Sequence, residues 1–381
     1  MCMRGRGCNW VLRLTRFLSV GIILLLASTL TSCASPDPSN DKNDRNISFK
    51  TKPFEREKNV FHHAVPQHTV LIYSGGAHRP FQWDAEHFDP YLAGKIDGKE
   101  KWLFDGFLFL EILDGHGRGF ASGYQKQAAR KEEWEKLLSG YFKKGNAIAA
   151  LNEQAKAVKE RIGASKAGKR KIILVIPEPI PNQTDWGEIN GKKMVFTDQN
   201  NRLSACKWYI DRAEQLFKDS HLTELELVGF YWLAEEATNT RHLVNQVSEY
   251  LDKKGYDFYW IPYFYADGYN EWQHLGFNVP YYQPNYFFDE KHPYSRLQET
   301  CDRAAKYGMN LEVEFDDRAL ASQKNWGYRL RNYLDVFEKN GAFNSLKIAC
   351  YQGNDTFYKL AKSDHPADQT LYKRLVKLIA K

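Results

Sequence analysis

Cysteine is scarce in this chain of 381 residues, which has only six. Cys2, Cys8 and Cys33 fall in the first 33 positions, and Cys206, Cys301 and Cys350 are widely spaced. That odd, scattered set has no metal-ligand spacing and is expected to stay as buried or free thiols. Also missing are His-x-x-x-His, His-Glu-x-x-His and Gly-x-Ser-x-Gly, so zinc-protease and serine-hydrolase chemistry lose their signatures. His62-His63 belongs to an extended N-terminal region. The glycine-rich strings Ser74-Gly75-Gly76 and Gly115-His116-Gly117-Arg118-Gly119 lack the G-x-G-x-x-G spacing of a dinucleotide turn. Excess charge is small as well. Of the net +6, four charges are Arg4, Arg6, Arg13 and Arg16, in a 32-residue leader without acids, which leaves +2 for the rest. Apart from a short stretch from Lys166 to Lys171 there is no dense basic run, and a nucleic-acid partner is not expected.

What is present is a globular composition, with 43% hydrophobic, 26% charged and an unusually high 14% aromatic residues. The first 32 residues read as a signal peptide: a basic segment to Arg16, then an apolar stretch from Phe17 to Ala27 too short to span a bilayer. Leu30-Thr31-Ser32-Cys33 resembles a bacterial lipobox, so Cys33 is the expected lipidation site. A polar run to about Lys52 cannot bury enough surface to order itself, and residues 33–66 are expected as a tether and extension. The expected location is the bacterial cell envelope, lipid-anchored at the outer membrane on its periplasmic or surface face. A monomer is expected.

From residue 67 to 381 short β-rich runs alternate with amphipathic segments. Eight runs stand out: Thr69 to Ser74, Gly106 to Ile112, Lys171 to Ile176, Leu225 to Leu233, Phe258 to Phe264, Val279 to Phe287, Asn310 to Phe315 and Leu346 to Gln352. Helices are expected between them, among them one long helix from Gln125 to Ile162 and a short segment near Glu271. Eight strand-then-helix units predict an α/β fold, a single-domain (β/α)8 TIM barrel; a doubly wound open sheet is the alternative.

Barrel enzymes take their chemistry from the C-terminal ends of strands. Here those ends carry Glu111, Glu178, Glu235 with Glu236, and Glu314 with Asp316 and Asp317. In the seventh run Leu311, Val313 and Phe315 alternate with Glu312, Glu314 and Asp316, which predicts an apolar face on the helices and an acidic face inside the barrel. Parity sends Glu235 and Glu236 to opposite sides, and a bulge can change which one faces inward. Acids on strands four and seven resemble the large clan of retaining glycoside hydrolase barrels, without that clan's Asn-Glu pair on strand four.

The strings Gly229-Phe230-Tyr231-Trp232, Trp260-Ile261-Pro262-Tyr263-Phe264, Tyr281-Tyr282-Gln283-Pro284-Asn285-Tyr286, Glu312-Val313-Glu314-Phe315-Asp316 and Tyr351-Gln352-Gly353 resemble domain-of-unknown-function family 4855 of Bacteroidetes lipoproteins. That resemblance implies a barrel related to glycoside hydrolases. The expected roles are Glu314 or Asp316 as nucleophile and Glu235 or Glu236 as general acid. Glu111, Glu178, Glu312, Gln283 and Asn285 are candidates for binding sugar hydroxyls, and Trp232, Tyr263, Trp272, Tyr281, Trp326 and Tyr351 for stacking on sugar rings. No cofactor is expected; a hard cation on Glu312, Glu314 and Asp316 is a further option. The partner is then an oligo- or polysaccharide. The rival reading is a glycan-binding lipoprotein without catalysis, and a third is a scaffold without a ligand.

Overall fold

The computed structural model describes residues 61–380, so the signal peptide, Cys33 and the tether as far as residue 60 lie outside the described residues. Eight parallel strands close a barrel: β1 (His68–Tyr73), β2 (Gly106–Leu110), β3 (Arg170–Ile176), β4 (Leu225–Trp232), β5 (Asp257–Trp260), β6 (Val279–Tyr282), β7 (Asn310–Glu314) and β8 (Ile348–Tyr351). Each pairs with its chain neighbours and β1 pairs with β8, which excludes the open sheet. Strands such as Lys171-Ile172-Ile173-Leu174-Val175-Ile176 are buried throughout, as expected where helices cover one face and the barrel interior the other.

Around the barrel lie α1 (Ala85–Leu92), α2 (Lys131–Tyr141), α3 (Ala147–Ile162), α4 (Gln199–Asp219), α5 (Arg241–Lys254), α6 (Ser295–Tyr307), α7 (Gly327–Lys339), α8 (Ala342–Ser345), α9 (Thr356–Lys362) and α10 (Pro366–Ile379). α5 and α6 stop at Gly255 and Gly308, each in the left-handed conformation that suits glycine. The single helix expected from Gln125 to Ile162 is two, α2 and α3. Between them the chain turns at Gly145 (φ 71°), and the Asn146 side chain donates to the Gly140 carbonyl. The stretch before α2 is extended instead, with Gln127–Ala128 pairing with Arg118–Gly119.

Two hairpins interrupt the α/β pattern: Ala93–Ile96 with Lys99–Trp102, and Gly187–Ile189 with Lys192–Met194. Their turns are Asp97-Gly98 and Asn190-Gly191, and all four residues have positive φ, as tight hairpin turns require. The barrel floor is tied by two aspartates. Asp105 accepts from the Gln67 and His68 N–H groups, and Asp257 from His62 N–H at 3.0 Å and His63 N–H at 3.2 Å. Residues 61–66, expected in the extension, are therefore packed against the barrel.

Register decides what fills the interior. Glu312 pairs with Ala349 and Glu314 with Tyr351, so each pair shares a face. Tyr281 on β6 reaches across to β1, its hydroxyl 3.4 Å from Thr69 Oγ1, and its ring stacks on Tyr259. A bulge in β4 between Leu227 and Gly229 leaves Val228 without a partner on β3. Counting by twos from Glu226 would turn Glu236 inward; the extra residue moves Gly229, Tyr231 and Glu235 to the inner face instead. Gly229 is required there, because a Cβ would lie 2.2 Å from the Asp257 carbonyl oxygen and 2.6 Å from the Tyr259 ring.

Candidate active site

The acidic face of β7 points into the barrel, while Leu311, Val313 and Phe315 are buried against the helices. Glu314, the last residue of the strand, is held on one oxygen. Its Oε2 accepts from the Tyr333 hydroxyl of α7 at 2.7 Å and from the Asn285 backbone N–H at 2.6 Å. Asn285 presents that N–H from a left-handed conformation, φ 52°, which asparagine tolerates better than most residues. Its side chain donates to Gln283 Oε1 at 3.0 Å, and Gln283 Nε2 donates to Glu235 Oε1 at 3.2 Å. Carboxyl groups from β4 and β7 are thus joined by amides that follow β6. Glu236 turns the other way and accepts from the Tyr263 hydroxyl at 2.7 Å.

Burial sets the proton affinities. It pushes Glu235 up to about 7, with Glu236 adding and Gln283 opposing. It pushes Glu314 up to about 8 against the pull of Tyr333 and Asn285, and the nearby Glu235 adds a smaller rise. Glu312 is 2% exposed, and its proton affinity is raised well above the ordinary range by burial and then by Glu314 and Glu235. Its Oε1 has no hydrogen-bond partner, so Glu312 is the member of the group that keeps its proton. Glu178 is buried beside the same mouth, accepts from Ser122 N–H at 2.7 Å, and is likewise raised by burial.

Several residues expected at the site stand elsewhere. Glu111 is fully buried and occupied by Arg79 and by the N–H groups of Gly76, Ile112 and Leu113, so it anchors a loop and is closed to a sugar. Asp316 caps a 3-10 turn through Arg318 N–H and holds the Arg318 guanidinium at 2.6 Å, which leaves it no free carboxylate for attack. Trp232 lies on the outer face of β4, fully buried against Phe258. Trp272 is buried with its indole N–H on the Tyr307 carbonyl, and Tyr281 fills the barrel below the mouth. Trp326 is sandwiched near the cations of Arg318 and Lys324 at 4.8 and 4.7 Å. Aromatic residues near strand ends were drawn into packing because each contributes a large apolar area.

Tyr263, Gln283, Asn285 and Tyr351 do reach the acids. So do residues the pattern did not single out: Tyr73, whose ring meets Tyr351 edge-on at 5.7 Å, Tyr231, Tyr333 and Tyr124. Tyr124 is 45% exposed on the loop after β2, and Glu235 is the largest influence on its hydroxyl. Its place directly after Gly123 in a glycine-rich stretch is the signal that the sequence offers. Hydroxyls and amides around two protonatable carboxyls can bind a polyol, donate one proton, and supply one carboxylate once Glu314 ionises.

The strand pairing defines a (β/α)8-barrel protein with a group of carboxyls and tyrosines at the C-terminal ends of its strands. The chain belongs to the family described as Domain of unknown function (DUF4855), which matches residues 68–377. No curated protein matches it. Among solved structures it is similar to the catalytic domain of a family GH18 chitinase from the fern Peteris ryukyuensis, with 12% identity, 82% of this chain and 100% of that chain covered, and a TM-score of 0.43. It is also similar to Dispersin B, with 12% identity, 83% and 98% covered and a TM-score of 0.37. A mutant tryptophan synthase α-subunit from Pyrococcus furiosus matches with 11% identity, 82% and 97% covered and a TM-score of 0.35.

Proposed function

We propose that this protein is a lipid-anchored glycoside hydrolase of the bacterial cell envelope, with Glu235 as general acid and Glu314 as the attacking carboxylate. The observation that carries the reading is the connected set Glu235–Gln283–Asn285–Glu314, which brings carboxyls of β4 and β7 to one mouth and links them to tyrosine hydroxyls. Glycosidic cleavage needs one carboxylic acid that is protonated and one carboxylate that is not. Tyr333 and Asn285 favour charge on Glu314, while the environment of Glu235 favours its proton.

With Glu235 pushed up to about 7 and Glu314 up to about 8, the productive arrangement, with the proton on Glu235 and the charge on Glu314, is the minor one of the two singly protonated forms. Attack on the anomeric carbon by Glu314 Oε1, the oxygen not held by Tyr333 and Asn285, breaks the glycosidic bond as Glu235 gives its proton to the departing oxygen; the glycosyl ester left on Glu314 is then cleaved by water, with the Glu235 carboxylate taking the water's proton. We take retention of configuration as the expected outcome, which requires a carboxyl separation of about 5–5.5 Å in the substrate complex. The test is a screen of the purified mature chain against a glycan panel with reducing ends read chemically. Glu314→Gln should lower turnover by orders of magnitude while binding persists. Unchanged turnover in that variant removes β7 from the mechanism, and binding without hydrolysis by the parent on every glycan favours the binding-protein reading.

A further inference from the structure

The basic stretch Lys166 to Lys171 leads into β3 at the barrel floor, the end opposite the carboxyl mouth. Its Arg170 is 1% exposed and lines a floor cavity of about 200 Å³ together with Trp102, Ser165, Lys169, Thr223 and Glu224. The guanidinium donates to two neutral acceptors, the Phe104 carbonyl at 3.1 Å and the Gly168 carbonyl at 2.8 Å, and stands 4.6 Å from the centre of the Trp102 ring. Asp105 acts on it through space, yet burial pushes its proton affinity down to about 10. Glu224, on the same wall, is held through both oxygens by Lys159 Nζ at 3.0 and 3.1 Å, so its charge is already met. A buried guanidinium bonded to carbonyls alone is suited to an oxyanion, which accepts from several of its N–H groups at once.

The neighbourhood of the cavity indicates which oxyanion. An open groove of about 690 Å³ shares Lys169 and Thr223 with it and adds Lys218, His221, Leu222 and Tyr256. Lys166, Lys169, Lys218 and His221 are exposed, while Leu222 and Tyr256 are half-buried, so positive charge and apolar surface lie side by side. Lys218 is shared with Glu214. The chain that follows Cys33 reaches the barrel at this same place: His63 stacks on Tyr256 with ring centres 6.2 Å apart and lies 3.9 Å from Glu226, which also lines the groove. We infer that the floor is the membrane-facing side of the protein and that the Arg170 cavity takes the phosphate of an anionic phospholipid headgroup. This rests on the lipid-anchor reading and extends it. Because the chain joins at the floor, a lipid on Cys33 brings that end to the bilayer first, where cationic side chains meet headgroup phosphates and half-buried tyrosine suits the interface. The carboxyl mouth then opens away from the lipid, toward a glycan.

Sedimentation of the mature chain without its lipid, mixed with vesicles, tests the floor apart from the anchor. Vesicles of phosphatidylcholine with about 30% phosphatidylglycerol should bind it at least tenfold more tightly than phosphatidylcholine alone, and about 0.5 M salt should release it. Lys169→Glu, at an exposed position, should cut that preference severalfold, as should Arg170→Gln once circular dichroism shows it folded. Lys193→Glu, in the hairpin that follows β3 on the mouth side, should leave it unchanged. Equal binding to the two vesicles, or a preference that Lys169→Glu spares, overturns the inference. Calorimetry with inorganic phosphate separates the sources: phosphate binding that Arg170→Gln abolishes, without any vesicle preference, leaves an oxyanion cavity and overturns the membrane assignment. The anchor is read separately in salt-washed membranes, which should keep the lipidated parent and lose Cys33→Ser whatever the vesicles show.

Discussion

Replacing Glu314 with glutamine should stabilise the folded protein at alkaline pH, an effect that is measurable before any substrate is known. The carboxyl is 2% exposed, and burial moves it from the ordinary 4.5 up to about 8. Between those values the folded chain keeps a proton that the unfolded chain has lost. Unfolding then releases a proton, and stability falls as pH rises from about 5 to 8. At 1.36 kcal/mol per pH unit the rise from 4.5 to about 8 amounts to roughly 5 kcal/mol as an upper bound, since hydration of the empty mouth reduces it. The amide cannot ionise, and its oxygen can still accept from Tyr333 and Asn285. It also removes the charge that raises Glu312. Thermal unfolding at pH 5, 6.5 and 8 should show the parent losing on the order of 10 °C across the range and the variant losing several degrees less, the remainder belonging to Glu235, Glu312 and Glu178, which burial also raises. Parallel curves for the two proteins would refute the placement of a buried, proton-holding carboxyl at the end of β7.

On a cleaved glycan, the pH–rate profile should be a narrow bell with limbs near 7 and 8, set by Glu235 and Glu314; an optimum below pH 5 would contradict the pairing. Tyr333→Phe removes one donor to a carboxylate, worth about 1.5–3 kcal/mol. It should move the upper limb up by about 1–2 pH units and cut the maximal rate about tenfold or more, with the limbs and the maximum read from the same profile. Gly229→Ala forces a methyl into the Asp257 backbone and the Tyr259 ring, so urea unfolding should report a loss of about 3 kcal/mol or an insoluble product. Cys33→Ser should transfer the protein from membranes to the soluble fraction, and unchanged partitioning would end the anchor proposal.

Local pattern reached far into this molecule. Eight β-rich runs separated by amphipathic segments determined the barrel, because closure needs only period, length and order. The alternation in Leu311 to Asp316 determined that Glu312 and Glu314 share a face, since strand geometry has period two. Asp97-Gly98 and Asn190-Gly191 are local hairpin signals as well, because these residue pairs accept the positive φ that a tight turn requires.

What tertiary structure decided was the partner of each acid. Glu235, and not Glu236, joins β7 because the unpartnered Val228 shifts parity by one, and nothing in that residue alone signals a bulge. Glu314 is singled out by Asn285, 29 residues away, and by Tyr333, 19 residues on, while Asp316 at the same strand end is captured by its neighbour Arg318. The aromatic strings divided in the same way: Tyr263 and Tyr351 reached the acids, and Trp232, Trp272 and Tyr281 went to the core. Periodicity is written in consecutive residues, but which face meets which neighbour depends on how strands 29 to 48 residues apart are brought into register.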